Sequence, residues 1–197
     1  SNFSLPDEEM KRIGYKAIDI IVEHFTKLQN KPVTRSKTSN ELQAIFQESI
    51  PETRISVEKL FQILEDHVFT NIMHIDHPRF LAFISSPSNY ISVIGDLFTS
   101  AFNFFAGTWI ESSSAAQIEL TVLDWMKTLF NYPKQSGGIF LSGGSMANLV
   151  ALVVARSVKY ETQAHTTPKF YCSSQTHSSI DKALRIMGFT EKNIEKI

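Results

Sequence analysis

One cysteine, Cys172, stands in 197 residues. No internal disulfide is possible, and no metal-type Cys/His spacing surrounds it, so the chain is expected to work in a reducing compartment, as a cytoplasmic protein with a buried structural thiol. Charge of one sign is lacking too. Nineteen Lys and Arg against 20 Asp and Glu leave a formal net charge of −1, which gives no basic field to draw phosphate backbones or anionic lipid, so nucleic acid is not an expected partner. No run of about 18 apolar residues is available to span a bilayer, and no leader or membrane association is expected. Internal repeats and low-complexity tracts are absent. What is present is apolar bulk: 43% of the residues are hydrophobic and 15 are Phe, enough to predict a substantial core in a globular protein.

The first 70 or so residues carry helical periodicity and no strand signal. Ser4, Pro6 and the acids Asp7, Glu8 and Glu9 read as a capped helix start, with the acids at the positive end of the dipole. Ile13, Ala17, Ile20, Ile21, Phe25 and Leu28 follow at spacings of three and four, and Val57, Leu60, Phe61, Leu64 and Val68 mark a second helix after a polar connection containing Pro51. From His77 the texture changes. An extended stretch leads into an apolar run over 90–105 in which Asp96 is the one formal charge, so a helix buried in the core or against another subunit is expected. A break over 109–114 precedes a further helical stripe from Ala115 to Phe130. The last third alternates: a strand at 139–141, a helix over 146–160, a loop at 165–168, a strand at 170–172, a loop over 173–177 and a helix from 178 to Met187 with Gly188 at its C′ position. Strand, turn, helix, repeated, predicts an α/β sheet.

The most informative stretch is FLSGGSMANLVAL, 140–152. A strand end, a Ser-Gly-Gly-Ser turn and a helix start would place free amides and a positive dipole end at a sheet edge, where α/β proteins bind phosphates. The same residues also suit a tight turn with a serine N-cap, and the loop alone leaves both readings open. A P-loop is excluded because Met146-Ala147 stand where Lys and a hydroxyl residue belong, and the dinucleotide fingerprint fails for want of a third glycine. A smaller phosphate ester remains. One βα unit later, SSQTHSS puts His177 among hydroxyls at another helix start, on the same expected edge. His74 and His77 make an H-x-x-H pair without a third ligand nearby in sequence, so no metal site is expected and His77-Pro78 reads as a loop anchor. His24, His67 and His165 sit in no motif.

HPRF (77–80), the Trp109 region, Asp124-Trp125, GGSMANLVAL (143–152) and SSQTHSSIDKA (173–183) together resemble the group II pyridoxal-5′-phosphate-dependent amino-acid decarboxylases, with the aromatic L-amino-acid branch nearest. The order and spacing of the five motifs agree with that family. The resemblance implies a PLP-dependent transferase-like, fold type I large domain with a mainly parallel sheet. On that pattern 76–197 form its first part, and 1–75 form a helical segment interleaved with a second copy in a homodimer. Gly144 and Ser145 match the positions that hold the phosphate. His177 matches the imidazole that stacks on the pyridine ring near the substrate carboxylate, the catalytic residue of this stretch. Ser86 falls where the family carries a Thr close to the substrate. The implied reaction is decarboxylation of an L-amino acid, an aromatic one favoured, to the amine and CO2, with oxidative deamination known among relatives.

Two departures bear on the substrate. Gly107 stands where relatives acting on aromatic amino acids carry an aromatic residue, and Phe83-Ile84-Ser85 replaces a Tyr-Phe-Pro run. Phe104 and Phe105 are the candidates to line the pocket instead, and glutamate, cysteine sulfinate and 2,4-diaminobutyrate stay open as substrates. The family's Schiff-base Lys and its pyridine-pairing Asp fall downstream of the His-Ser-Ser turn, and Lys182, Lys192 and Lys196 sit too early for that role. The 197 residues are therefore expected to be the N-terminal part of the enzyme and inactive alone; a non-catalytic oligomerisation fragment is the alternative.

Overall fold

A computed structural model describes residues 4–160 and 168–197. The chain forms two compact units, Ser1–Asn103 and Phe104–Ile197.

The first unit is helical. Helix α1, Asp7–Lys27, starts behind Pro6, which takes the N-cap position, with three acids in its first turn. Proline in the cap position fixes φ ahead of the helix without needing a hydroxyl. The stripe read from the sequence is the face that packs: Ile13, Ala17, Ile20, Ile21 and Phe25 are half-buried and Leu28, in the closing 3-10 turn, is buried. Helix α2, Ser39–Phe46, lies in the stretch expected to be a polar connection. Its capping box was the missed signal: the Glu41 amide donates to Thr38 Oγ1 (3.3 Å) and the Thr38 amide donates to the Glu41 carboxylate (2.8 Å). The Thr38 hydroxyl, donating to the Glu41 carboxylate at 2.7 Å, and then the Thr38 amide hold that carboxyl below its ordinary value. Replacing Thr38 by Ala is expected to cost about 1 kcal/mol, read as a shift of the denaturant midpoint at unchanged slope.

Ser56 caps α3, Val57–Ile63, which winds into one π-helical turn over Leu64–Val68. The segment after α1 returns to the chain near residue 73. Thr34 and Met73 form an antiparallel bridge, and the His74 amide donates to the Val33 carbonyl at 2.9 Å. Helix α4, Tyr90–Phe102, is capped reciprocally by Asn89 and Ser92 and stopped by Asn103 in the left-handed region. It has no buried residue, and Ile91, Phe98 and Phe102 are exposed.

In the second unit α5, Trp109–Leu129, begins where the sequence pattern breaks; the break is a kink at Ser112. The expected strand at 139–141 is not formed. Strands exist only as pairs, and here the Phe140 amide donates to the Glu119 carboxylate of α5 at 2.8 Å. Helix α6 spans Gly144–Tyr160. Strand β1, Phe170–Cys172, leads through α7, Ser178–Ile186, to β2, Ile194–Lys196, and the two strands pair in parallel with Phe170 opposite Ile194. This is one βαβ crossover, helix-rich and with a small parallel sheet, of the α/β kind expected. Gly188 closes α7 at φ 87°, as its position predicted. Helix α6 packs on α7, whose Ala183 and Leu184 are buried, and the Phe170 and Phe189 rings meet at a tilt with centroids 4.7 Å apart. Cys172 is half-buried in β1 rather than buried. The loop expected over 165–168 lies outside the described residues except for Pro168.

The substantial core anticipated from composition is thin. Among the described residues Leu28, Ala183 and Leu184 are the buried apolar side chains, while Phe98, Phe102, Ile110, Ile118 and Leu129 face outward. Apolar faces of this extent exceed what a lone soluble chain ordinarily shows.

Candidate active site

The site is built from two helix starts. At α6 the Ala147 amide donates to the Gly143 carbonyl at 3.0 Å, the first bond of the helix. The amides of Gly144, Ser145 and Met146 therefore lie ahead of that bond, with no acceptor inside the helix. Gly143 reaches this geometry at φ 156°, which side-chain-bearing residues rarely adopt, and a Cβ at Gly143 or Gly144 would meet no atom within 4 Å. Gly144 and Ser145 are exposed. Three outward amides, a hydroxyl and the positive dipole end around open space make a site for a small anion.

At α7 the N-cap is His177 itself. Its Nδ1 accepts from the Ser179 amide at 3.2 Å and lies 2.8 Å from Ser179 Oγ. An amide can only donate, so Nδ1 is an acceptor and the neutral ring carries its proton on Nε2. Ser179 is buried at 3% exposure and His177 is exposed. The imidazole is thus anchored on one edge and presents a face and an N–H to the outside. Asn148, in the second turn of α6, donates through Nδ2 to Ser179 Oγ at 2.8 Å. That bond ties the two helix starts together across 31 positions of sequence, so the glycine loop and His177 meet through helix packing and not along the shared sheet edge expected, since no strand forms at 139–141. Asn148 and Ser179 were missed because neither has a local signal; only the packing of α6 on α7 brings them into contact.

The remaining candidates lie on other segments of the chain. Phe104 and Phe105 precede α5, half to two-thirds exposed. The Phe105 ring occupies the space beside Gly107: a Cβ there would lie 2.6 Å from Phe105 Cε1. Ser86 belongs to the first unit and is exposed, three residues after Phe83, whose φ of 60° is unfavourable for so bulky a residue. His77 anchors its loop as expected, Nδ1 accepting from the Arg79 amide at 3.0 Å. His74, however, has company that its spacing concealed. His24 from α1 and Asp76 place one ligating atom each within 4.8 Å of His74's and of one another.

Residues 39–196 match the pyridoxal-dependent decarboxylase conserved domain. The chain belongs to this family. It is 42% identical over 196 residues to an aromatic-L-amino-acid decarboxylase of Bacillus atrophaeus, and the match covers the whole chain and 41% of that relative. To tyrosine decarboxylase 4 of Petroselinum crispum it is 29% identical, covering 98% of this chain and 40% of the relative. Among solved structures, Oryza sativa TDC with PLP and tryptamine superposes with a TM-score of 0.89 at 29% identity, over 98% of this chain and 42% of that one. The chain thus spans about two-fifths of the length of the relatives it matches.

Proposed function

We propose that the full-length protein is a pyridoxal-phosphate-dependent carboxy-lyase that converts an aromatic L-amino acid to its amine and CO2. The observation that carries this reading is the Asn148–Ser179 bond, which sets an anion cradle beside an outward-facing imidazole. Phosphate esters are common; one attached to a flat ring needs both features, and the residues present fit such a group.

In this reading the Gly144 and Ser145 amides and the Ser145 hydroxyl hold the phosphate, and the missing Cβ of Gly144 leaves the dianion room to approach. His177 would face the ring and could offer Nε2–H to the substrate carboxylate, its tautomer set by the Ser179 amide and Ser179 tied to Asn148. When bound, pyridoxal phosphate supplies the electron sink for the carbon that loses CO2. What the chain contributes is placement: an anion anchor at one end, and an N–H donor held by a rigid second helix at the other.

An aromatic substrate is supported by the named activities of the relatives and by Phe105, whose ring fills the place a side chain at 107 would take. Ser86, Phe104 and Phe105 are assigned to substrate. In the full-length protein Phe105→Ala is expected to raise KM for aromatic substrates about tenfold with kcat little changed, since one ring in a pocket contributes on the order of 1–3 kcal/mol; an unchanged KM would remove Phe105 from the pocket. The fold type I large domain, with 1–75 as a helical arm and a homodimer as the working unit, is supported by the βαβ crossover and by the exposed apolar face of α4. A cytoplasmic location is supported by the single unpaired thiol. The deciding experiment is substrate profiling of the cofactor-loaded full-length protein. Turnover of tryptophan, tyrosine or phenylalanine is expected; turnover confined to glutamate, cysteine sulfinate or 2,4-diaminobutyrate would replace the aromatic assignment.

A further inference from the structure

We propose that His24, His74 and Asp76 form a site for a divalent transition metal, of which zinc is the type, built wholly within the Ser1–Asn103 unit. Two imidazoles and one carboxylate are the donor set such ions take. The three side chains come from two separately fixed segments: His24 from α1, and His74 and Asp76 from the loop held by the Thr34–Met73 bridge and the His74 amide bond to Val33. Their ligating atoms lie within 4.8 Å of one another, with His24 Nε2 and Asp76 Oδ2 already 2.7 Å apart. Bond lengths near 2.0–2.1 Å put tetrahedral ligand atoms roughly 3.3 Å apart, so modest side-chain rotations would open the close pair and draw in the third.

The second observation is an orphan. His74 is only 4% exposed, yet its Nδ1 has no hydrogen-bond partner. A buried polar atom without a partner calls for an explanation, and the His24–Asp76 bond alone supplies none. Lys31 opposes an added positive charge and Asp76 favours it, so the carboxylate is the indispensable member of the set. A cavity of about 580 Å³ is lined by both His24 and His74, with Ile20, Phe69 and Lys31 among its other walls. Room beside the ligands leaves a coordination position for water or a small anion, which is the arrangement of an open rather than a closed site.

The test is metal titration of the chelator-treated full-length protein before cofactor is added, with Co²⁺ followed by its visible ligand-field bands and Zn²⁺ by calorimetry. One ion per chain is expected, together with a metal-dependent rise in Tm. His24→Gln and Asp76→Asn keep polar groups able to hydrogen-bond each other, so their metal-free Tm should stay near that of the wild type. Each should weaken binding at least about tenfold and lose the metal-dependent rise in Tm. His177→Ala should bind the ion as the wild type does. Absence of saturable binding, or equal affinity in wild type and both variants, would overturn the site; the second result would mean an adventitious ion only.

Discussion

His177→Ala in the full-length, cofactor-loaded protein is expected to lower kcat for CO2 release by at least about 100-fold, the low end of what a positioned proton-bearing side chain contributes. Bound cofactor should be largely retained, because the phosphate is held from α6 and not by the imidazole. The prediction sharpens through Ser179. That residue touches neither cofactor nor substrate in the proposed geometry; it is a positioning residue whose amide and hydroxyl meet His177 Nδ1. Ser179→Ala keeps the amide donor and loses the hydroxyl, and with it the tie to Asn148. A loss intermediate between wild type and His177→Ala, roughly tenfold and confined to kcat, is expected, since a misplacement of about 1 Å can cost up to about 100-fold. Steady-state kinetics and cofactor content of the two variants check this. Wild-type kcat in His177→Ala would remove the imidazole from the chemistry.

Ser145→Asp should abolish cofactor retention while leaving the fold intact or firmer. A carboxylate in the first turn of α6 complements the helix dipole and suits the free amides there. Facing a bound phosphate dianion, the same carboxylate is a like charge at close range, costing several kcal/mol. Affinity for pyridoxal phosphate is therefore expected to fall at least about 100-fold while thermal unfolding of the cofactor-free protein is unchanged or moves upward. The opposite signs separate a lost anion site from a damaged helix. Ser145→Ala, which removes a hydroxyl and adds no charge, should show a smaller loss in the same direction. Equal cofactor affinity in Ser145→Asp and wild type would take the phosphate away from this loop.

How much of this was legible in the sequence depends on the range of each interaction. Helix α1 was, because Ile13, Ala17, Ile20, Ile21, Phe25 and Leu28 write their packing face into a 3.6-residue period. The end of α7 was, because Gly188 takes a left-handed φ that its position required. Helix α2 was not: eight residues give little periodicity, and its one clear sign was the Thr38–Glu41 box. The strand expected at 139–141 failed for a non-local reason, since a strand needs a neighbour and Phe140 found Glu119 instead. The candidate site divides the same way. Gly144, Ser145 and His177 stand in local motifs with a chemical meaning. Asn148, Ser179, His24 and Asp76 acquire theirs by contact across 31 and 52 positions, which no local pattern encodes. Family motifs supplied what local physics left open, namely which phosphate ester the loop suits.

The measurement that bears most directly on the account is the product balance of the cofactor-loaded full-length protein given an aromatic L-amino acid. CO2 and the arylalkylamine are expected in equal amounts, with no turnover when pyridoxal phosphate is removed. Release of ammonia and an aldehyde in place of the amine, or no CO2 from any L-amino acid, would contradict it.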